Sequence, residues 1–531
     1  MHANLAMAIG SGLTLVGWLS VRAESGALSR LRASIALDAL IPAVGFLTVA
    51  VLTQRPIFSG GMTLALCAGF AFADYCKRKA FGEPILLADF YSTADILKHP
   101  EICLIFPRPM LLAAAVVLVV AAVAGLFALE PATLVTPVWA GPVLLAVLAT
   151  VFQLFAKPLR KLVLAPLLKL KLTARPRGDA RQVGAFAMLL AHTLLARAQR
   201  DDLQAAAAPT AATARASRLS TGSPILLVQS ESFFDPRRLH PGVSRRLLAA
   251  YDRCRAEAVQ WGAFGVPAWG ANTERTEFSV LTGLSPAAIG FDRFNPYRRF
   301  ARAPVTSLAW RLRAEGYRTI CIHPFDRTFY GRDKVFAKLG FDVFLGEEAF
   351  AGAERRAAYI RDTDVARMMT GLLREHGPKT FVFAITMENH APWGGAARFD
   401  HDLAPGLPPL KDEIAFRNYL AGVASADAMI EILSEELHAR GDGGLLAFYG
   451  DHLPNLTGVF SSLNFRSRRS DYFLWRAGGG EGRRMDLAAH NFAEDIWRAH
   501  VEPLWPARPI RDAGIARPVA HELDEPRSAA G

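Results

Sequence analysis

The stretch Trp269-Gly-Ala-Asn-Thr-Glu-Arg-Thr-Glu-Phe278, continued by Ser279-Val-Leu-Thr-Gly-Leu284, places the hydroxyl of Thr273 between a short flexible approach and a predicted helix. The start of such a helix favours an anion, because its free N–H groups and its dipole both attract negative charge. Thr273 therefore fits the role of a metal-activated nucleophile for phosphoryl transfer. It also fits the commoner role of a threonine that caps a helix. The rest of the chain decides between these two roles.

Short strands and amphipathic helices alternate from Pro224 to about Pro509, which predicts a mostly parallel α/β sheet. The ligand site of such a sheet lies beyond the carboxyl ends of its strands. Three of the four strand candidates are followed at once by residues able to do chemistry. The candidates are Ile225–Gln229, Thr319–His323, Phe381–Met387 and Leu445–Tyr449, and the polar residues are Glu231 after the first, Glu388, Asn389 and His390 after the third, and Asp451 and His452 after the fourth.

Glu231, Asp451 and His452, together with the oxygen of Thr273, make a four-ligand site of three hard oxygens and one imidazole. This ligand set suits one divalent metal, Mn²⁺ or Mg²⁺, with Zn²⁺ as an alternative. A bound cation would stabilise the threonine alkoxide and polarise a phosphoryl oxygen. His390 would then protonate the leaving oxygen, for which it has to titrate near neutrality. The alternative for His390 is a packed imidazole that bonds to the backbone.

A fifth segment, Cys321-Ile-His-Pro-Phe-Asp-Arg-Thr-Phe-Tyr-Gly-Arg332, adds His323, Tyr330 and Arg332 to the candidates. A guanidinium suits bidentate contact with a phosphate, and an aromatic ring beside it can pack on a glycerol or another headgroup. Arginine and tyrosine on loops are more often plain surface residues. These assignments therefore depend on the residues that surround them.

The chain is too apolar for an ordinary soluble enzyme, with 51% hydrophobic residues and a mean hydropathy of +0.20. Basic residues between Lys157 and Arg177 would rest against anionic lipid headgroups. No basic stripe with interleaved aromatic residues occurs in the polar half, so nucleic acid is not an expected partner. About five membrane spans are predicted from apolar runs at roughly Asn4–Val21, Ile35–Thr53, Ile57–Ala73, Met110–Leu129 and Val135–Phe155.

These patterns predict four parts of the chain. Residues 1–156 form a transmembrane helical domain, residues 157–223 amphipathic juxtamembrane helices and a linker, residues 224–510 the catalytic domain, and residues 511–531 a loose tail. The five cysteines show no CxxC spacing, so metal or disulfide roles are not expected for them. A bridge between Cys254 and Cys321, the two in the polar half, stays open.

Together these motifs resemble the lipoteichoic acid synthase family, which comprises phosphoglycerol transferases of the alkaline phosphatase/sulfatase superfamily. The resemblance covers Pro224 to about Trp475 and implies an N-terminal α-helical transmembrane bundle joined to a sulfatase-like α/β catalytic domain. The matching residues are Glu231 in "ESF", Thr273 in "NTERTEF", "FYGRD" at Phe329–Asp333, "ENHAPW" at Glu388–Trp393 and "GDHLP" at Gly450–Pro454.

The resemblance also implies a site of the Mn²⁺ type and a covalent intermediate on Thr273. In that family a phosphoglycerol group passes from a phospholipid, phosphatidylglycerol, to a glycan or polymer acceptor, and the catalytic domain lies outside the bacterial plasma membrane. The sequence departs from the family at Tyr330, where Trp is usual, and at Glu274-Arg275, where small or acidic residues are usual. The metal ligands would be Glu231, Thr273, Asp451 and His452, and the phosphoglycerol group would be held by His323, Tyr330, Arg332 and His390.

Topology and reaction type stay open. With five spans, basic residues such as Lys77, Arg78 and Lys79 would fall on the side of the catalytic domain, and the positive-inside rule would then place that domain in the cytoplasm. A phosphodiesterase or sulfatase-type hydrolase of the same superfamily is the alternative to a transferase. A true sulfatase is disfavoured, because no C/S-x-P-x-R motif occurs in the polar half. A catalytically dead membrane scaffold would leave the complete ligand set unexplained.

Overall fold

The computed structural model describes residues 3–27, 32–91, 98–99, 109–134, 137, 139–154, 167–199, 207–208, 222–394 and 403–501. The chain forms two compact units, Met1–Asp202 with Gly290–Phe294, and Leu203–Ile289 with Asn295–Gly531. The predicted tail 511–531, most of the predicted linker and the first half of the basic segment 157–177 lie outside the described residues.

The first unit is a bundle of apolar helices. Four of its described helices are long and apolar enough to cross a membrane, namely Ala3–Ser25, Ser34–Thr53, Pro56–Phe81 and Met110–Leu129. The run Val135–Phe155, predicted as the fifth span, contains a helix of 15 residues, Ala140–Leu154, which is shorter than a hydrocarbon core requires. The number of spans therefore stays a prediction. Three shorter described helices are Leu87–Tyr91, Pro176–Val183 and Ala185–Ala198.

Glycines let two of these helices approach each other closely. A Cβ atom at Gly60 would lie 2.6 Å from the Cα atom of Gly10, and a Cβ atom at Gly10 would lie 2.1 Å from the carbonyl oxygen of Pro56. Such small residues are typical of helices that pack inside a membrane. In the same bundle the fully buried Asp38 pairs with Arg22 at 3.1 Å, so this acid within a span has a counter-charge.

The second unit is built on an eight-stranded, mostly parallel sheet, which confirms the predicted fold class. Among the described strands, only β9 runs antiparallel to its neighbours in this sheet, β2 and β8. The strand order is β10-β2-β9-β8-β1-β7-β3-β4. The strands are β1 (Ile225–Ser230), β2 (Ala258–Gly265), β3 (Arg318–Ile322), β4 (Val343–Leu345), β7 (Thr380–Ile385), β8 (Leu445–Gly450), β9 (Ser470–Arg476) and β10 (Leu487–Ala488), while β5 (Arg355–Arg356) and β6 (Tyr359–Ile360) form a separate hairpin.

Helices cover both faces of this sheet, because its central strands are apolar on both sides. Every residue of β1, β7 and β8 is buried, as in strands that lie between two layers. Leu226 and Val228 pack into the core on one face, and Ile225 and Leu227 pack into the core on the other. The helices of this unit are Ala249–Ala256, Thr273–Thr282, Pro286–Ile289, Pro296–Phe300, Leu308–Ala314, Arg332–Val335, Asp362–His376, Glu413–Arg440, Thr457–Ser462 and Phe492–Val501.

The register of β1 against β8 brings two distant parts of the chain to the same edge. Ser230 pairs with Gly450, so the residues that follow both strands emerge side by side. Gly450 leaves room for the neighbouring backbone, since a Cβ atom there would lie 1.8 Å from the carbonyl oxygen of Phe233. Cys254 and Cys321 are free and lie in the cores on opposite faces of the sheet, so no bridge joins them.

Candidate active site

Glu231, Asp451 and His452 meet at the carboxyl edge of the sheet. One ligand atom from each lies within 4.8 Å of the other two. Nε2 of His452 is 3.7 Å from Oε1 of Glu231 and 3.4 Å from Oδ2 of Asp451. Each of these side chains is exposed by 4% or less. The structure therefore brings together three of the four residues that the sequence predicts as metal ligands.

The charges and hydrogen bonds of this cluster fit a divalent cation. Burial, and then the nearby carboxylate of Asp451, raise the pKa of Glu231, because two buried anions repel each other. Oδ1 of Asp451 accepts hydrogen bonds from the amides of Ser232 and His452, both at 2.8 Å, while Oδ2 has no hydrogen-bond partner among the described residues. Nδ1 of His452 lies 3.0 Å from the carbonyl oxygen of Leu453. With the proton on Nδ1, the lone pair of Nε2 is left for a cation.

Thr273 is the first residue of the helix Thr273–Thr282, hereafter the Thr273 helix. The N-cap position belongs to Asn272, whose backbone is left-handed at φ 63°, so Thr273 is not the capping residue. One turn further on, the hydroxyl of Thr276 donates a hydrogen bond of 2.8 Å to the backbone oxygen of Asp451. This bond ties the start of the Thr273 helix to the strand end that carries two of the candidate metal ligands.

His323, Tyr330 and Arg332 also come together. Nη1 of Arg332 lies 3.1 Å from Nε2 of His323, and the guanidinium lies over the ring of Tyr330 at 5.2 Å from its centroid. Burial, and then the charge of Arg332, hold the pKa of His323 well below its usual range, so this imidazole is neutral. Tyr330 has a left-handed backbone at φ 58°, which a bulky residue rarely adopts. Arg332 is not a surface residue, since it is only 2% exposed.

Glu277 is a buried residue to which the sequence analysis gives no role. Its carboxylate accepts hydrogen bonds from Nε and Nη2 of Arg332 at 3.1 and 2.9 Å, and Nε2 of Gln229 donates to it at 3.0 Å. The hydroxyl of Tyr297 donates to the same carboxylate. One edge of the Arg332 guanidinium is therefore engaged by Glu277, and the edge at Nη1 is turned toward His323. The sequence contains one indication that Glu277 belongs to the site. It follows Thr273 by four residues, which puts both on one side of a helix.

His390 is half-buried and bonds to the backbone. Its Nδ1 lies 2.6 Å from the carbonyl oxygen of Ala391 and 3.2 Å from the hydroxyl of Tyr359. Burial lowers the pKa of His390 from its ordinary value, so the imidazole is neutral at pH 7. Its pKa is thus displaced below the near-neutral value that the sequence analysis expects of a general acid. With the proton on Nδ1, Nε2 is left as a proton acceptor.

The two residues before His390 make contacts that hold neighbouring elements together. Glu388 accepts hydrogen bonds from the amide of Asp362 at 2.7 Å and from the hydroxyl of Ser425, and it pairs with Arg356 at 3.1 Å. Asn389 packs so close to Gly422 that a Cβ atom on Gly422 would lie 2.2 Å from its Oδ1 atom. Neither residue belongs to the candidate metal cluster.

A protein-family model described as Sulfatase matches residues 223–495, which is more than half of this chain. The match contains the whole eight-stranded sheet and all the site residues named above. The chain belongs to the sulfatase family. This result confirms the resemblance to the alkaline phosphatase/sulfatase superfamily that the sequence motifs indicate.

The chain is also similar to named proteins over most of its length. The capsular polysaccharide biosynthesis protein RkpI of Rhizobium meliloti is 29% identical over 444 residues, which cover 80% of this chain and 78% of that protein. The integral membrane protein lipooligosaccharide phosphoethanolamine transferase A (EptA) of Neisseria meningitidis has a TM-score of 0.53 at 12% identity and covers 93% of this chain and 96% of its own. The Streptococcus pyogenes phosphoglycerol transferase GacH has a TM-score of 0.45 at 21% identity, covering 59% of this chain and 81% of its own.

Glu277 and Arg332 form an ion pair out of reach of water, so removal of either charge leaves the other buried alone. We expect Glu277→Gln to lower the free energy of unfolding by about 3–5 kcal/mol, measured by thermal or denaturant unfolding of the purified protein. The double variant Glu277→Gln/Arg332→Met removes both charges and should recover most of this stability without recovering activity. A loss below about 1 kcal/mol for Glu277→Gln would show that the pair behaves like a surface pair.

Metal affinity should rise with pH, because Glu231 has to lose its proton to bind a cation and its pKa is raised to about 8. Below that value, each pH unit should weaken Mn²⁺ binding by up to about tenfold. The metal-free protein should become less stable as the pH rises toward about 8, since ionised Glu231 is unfavourable without a counter-charge. Calorimetric titration in two buffers of different ionisation enthalpy measures both the affinity and the proton released. Glu231→Gln is the control, and a pH-independent affinity without proton release would contradict this account.

Proposed function

We propose that this protein is a membrane-anchored, metal-dependent transferase that moves a phosphoglycerol-type group from a phospholipid to a glycan or polymer acceptor through a covalent intermediate on Thr273. The observation that carries the proposal is the convergence of Glu231, Asp451 and His452 at the sheet edge to which the start of the Thr273 helix is bonded. We assign the chemistry to a catalytic domain at residues 224–510 and the anchor to a transmembrane domain at residues 1–156.

The first step attaches the headgroup to the protein. The oxygen of Thr273 forms a bond to the phosphorus of the donor, and the bond between phosphorus and the lipid oxygen breaks. A divalent cation held by Glu231, Asp451 and His452, with Mn²⁺ preferred over Mg²⁺ or Zn²⁺, would lower the pKa of the threonine hydroxyl and offset charge on the phosphate. The proton of Thr273 ends on the lipid oxygen. His390, neutral in the resting protein, can accept this proton and return it.

The second step releases the headgroup to the acceptor. A hydroxyl of the acceptor attacks the same phosphorus, the bond to the Thr273 oxygen breaks, and the acceptor proton returns to Thr273 by way of His390. Arg332, with its Nη1 edge beside His323, supplies positive charge where the phosphate oxygens carry negative charge. Tyr330 offers a ring for the carbon atoms of the headgroup.

Two comparisons support a glycan acceptor and a membrane setting. RkpI is described as a capsular polysaccharide biosynthesis protein and matches this chain over most of its length. EptA is described as an integral membrane protein and shares the fold over nearly the whole chain. We propose that the protein is a multi-pass protein of the bacterial plasma membrane, and that its catalytic domain lies outside the cytoplasm, as the resemblance to the lipoteichoic acid synthase family implies.

Thr273→Ala should reduce transfer of headgroup by at least about 10³-fold, because the variant lacks the hydroxyl that would attack the phosphorus. Folding and membrane insertion should be unchanged. Transfer is measured with phospholipid labelled in its headgroup and a glycan extract as acceptor. Mass spectrometry of the Thr273 peptide, after exposure of the protein to lipid without acceptor, should show the mass of the transferred group.

Thr273→Ser is the matched control, since it keeps a hydroxyl at the same position and should retain measurable transfer. Full activity of Thr273→Ala would end the proposal of a covalent intermediate. Release of free headgroup phosphate at the same rate with and without acceptor would instead identify a phosphodiesterase.

The location of the catalytic domain has a direct test. A bacterial alkaline phosphatase fused to the C-terminus should be active in cells, because that reporter matures only outside the cytoplasm, and a green fluorescent protein exported to the same place by the general secretory route should be dark. An inactive phosphatase together with a fluorescent protein that glows would place the catalytic domain in the cytoplasm, as the positive-inside rule favours. Fusions after Ser25, at the end of the first apolar helix, provide an internal reference for the side of the membrane.

A further inference from the structure

The first unit contains a cavity of about 160 Å³ whose wall carries three arginines. The cavity lies at one end of two helices long and apolar enough to cross a membrane, since Ser25 ends the helix Ala3–Ser25 and Arg78 lies in the last turn of Pro56–Phe81. The end of a membrane-spanning helix lies at the level of the lipid headgroups. The residues that line the cavity are Ser25, Arg78, Pro84, Arg177, Ala180 and Arg181.

The three arginines belong to two helices and differ in the contacts that hold their side chains. Arg78 is fixed by two acids, because its Nη2 pairs with Asp74 at 3.1 Å and also with Glu24. Arg177 donates a hydrogen bond of 3.3 Å from its Nη2 to the backbone oxygen of Arg78, which joins the helix Pro176–Val183 to this corner. Asp74 is buried and Glu24 is exposed, and neither lines the cavity.

The balance of charge around the cavity favours an anion. Glu24 and Asp74 offset part of the charge that Arg78 brings, while Arg177 and Arg181 add two further positive charges on exposed side chains. The lining itself contains no acid. The Arg181 guanidinium has no ion-pair partner among the residues that the structure describes. Several guanidinium groups around one small space suit the oxygens of a phosphate, which accept paired hydrogen bonds from their planar forks.

We propose that this cavity is a binding site for a phosphate monoanion, carried either by an anionic phospholipid headgroup or by free phosphate. Its position at the level of the headgroups gives a lipid direct access, and basic pockets between membrane helices are known to bind anionic headgroups. The site is separate from the chemistry proposed at Thr273. It would hold its ligand without any bond being made or broken.

The test measures binding to the full-length protein carrying Thr273→Ala, so that no lipid is consumed. Native mass spectrometry in detergent micelles follows titration with short-chain phosphatidylglycerol, and short-chain phosphatidylcholine is the lipid without net charge. Arg177→Gln/Arg181→Gln removes two charges from the cavity. The matched control Lys79→Gln/Lys169→Gln removes two exposed charges of the same unit that do not line the cavity.

We expect the arginine variant to lose at least about tenfold more affinity for phosphatidylglycerol than the lysine variant. Equal losses in the two variants would overturn the proposal, because diffuse attraction to basic residues would then explain all of the binding. Competition by inorganic phosphate would identify free phosphate as a ligand, and failure to compete would identify the lipid as the source. Arg181→Gln alone, at an exposed position, replaces the double variant if the latter does not fold. Neither result bears on transfer through Thr273.

Discussion

The site depends on the cost of placing two carboxylates, Glu231 and Asp451, in one space from which water is excluded. If both were charged and unaccompanied, their repulsion in this buried space would destabilise the folded state. The surroundings reduce this cost in part, because amides of Ser232 and His452 donate to one oxygen of Asp451. The other oxygen has no such partner among the described residues. The remaining cost is what a divalent cation offsets, and the imidazole of His452 completes a donor set of the kind such cations prefer.

A second buried charge pair involves Glu277, which follows Thr273 by about one turn of the same helix. Its carboxylate forms an ion pair with Arg332 and fixes the direction of the guanidinium, with Gln229 and Tyr297 as further partners of the carboxylate. Burial, and then the positive charge of Arg332 beside it, hold the pKa of His323 well below its usual range and keep this imidazole neutral. The helix therefore links two electrostatic systems, one built to attract a cation and one that holds a cationic side chain in place.

The predictable parts of this structure are those encoded over short distances along the chain. Four apolar strands, and the polar residues that follow three of them, could be read from the sequence, because burial on both faces leaves a continuous apolar run. The edge strands β4 and β10, with three and two residues, are too short to show such a run. Glu277 could not be assigned a role, since its partner Arg332 is 55 positions away and their pairing depends on the tertiary fold. The lowered pKa of His390 could not be predicted from the sequence either, because it depends on how deeply the imidazole is buried.

The pairing of β1 with β8 has a consequence for the biogenesis of the protein. Gln229 and Tyr449 bond across these neighbouring strands although 220 positions separate them. A ribosome that has just produced β1 has yet to synthesise its partner, so nascent chains carry Glu231 without Asp451 or His452 beside it. These three side chains can therefore share an ion only after β8 has been made and has paired with β1. An ion bound at this centre would thus be acquired late in the synthesis of the domain, from whichever compartment then surrounds these residues.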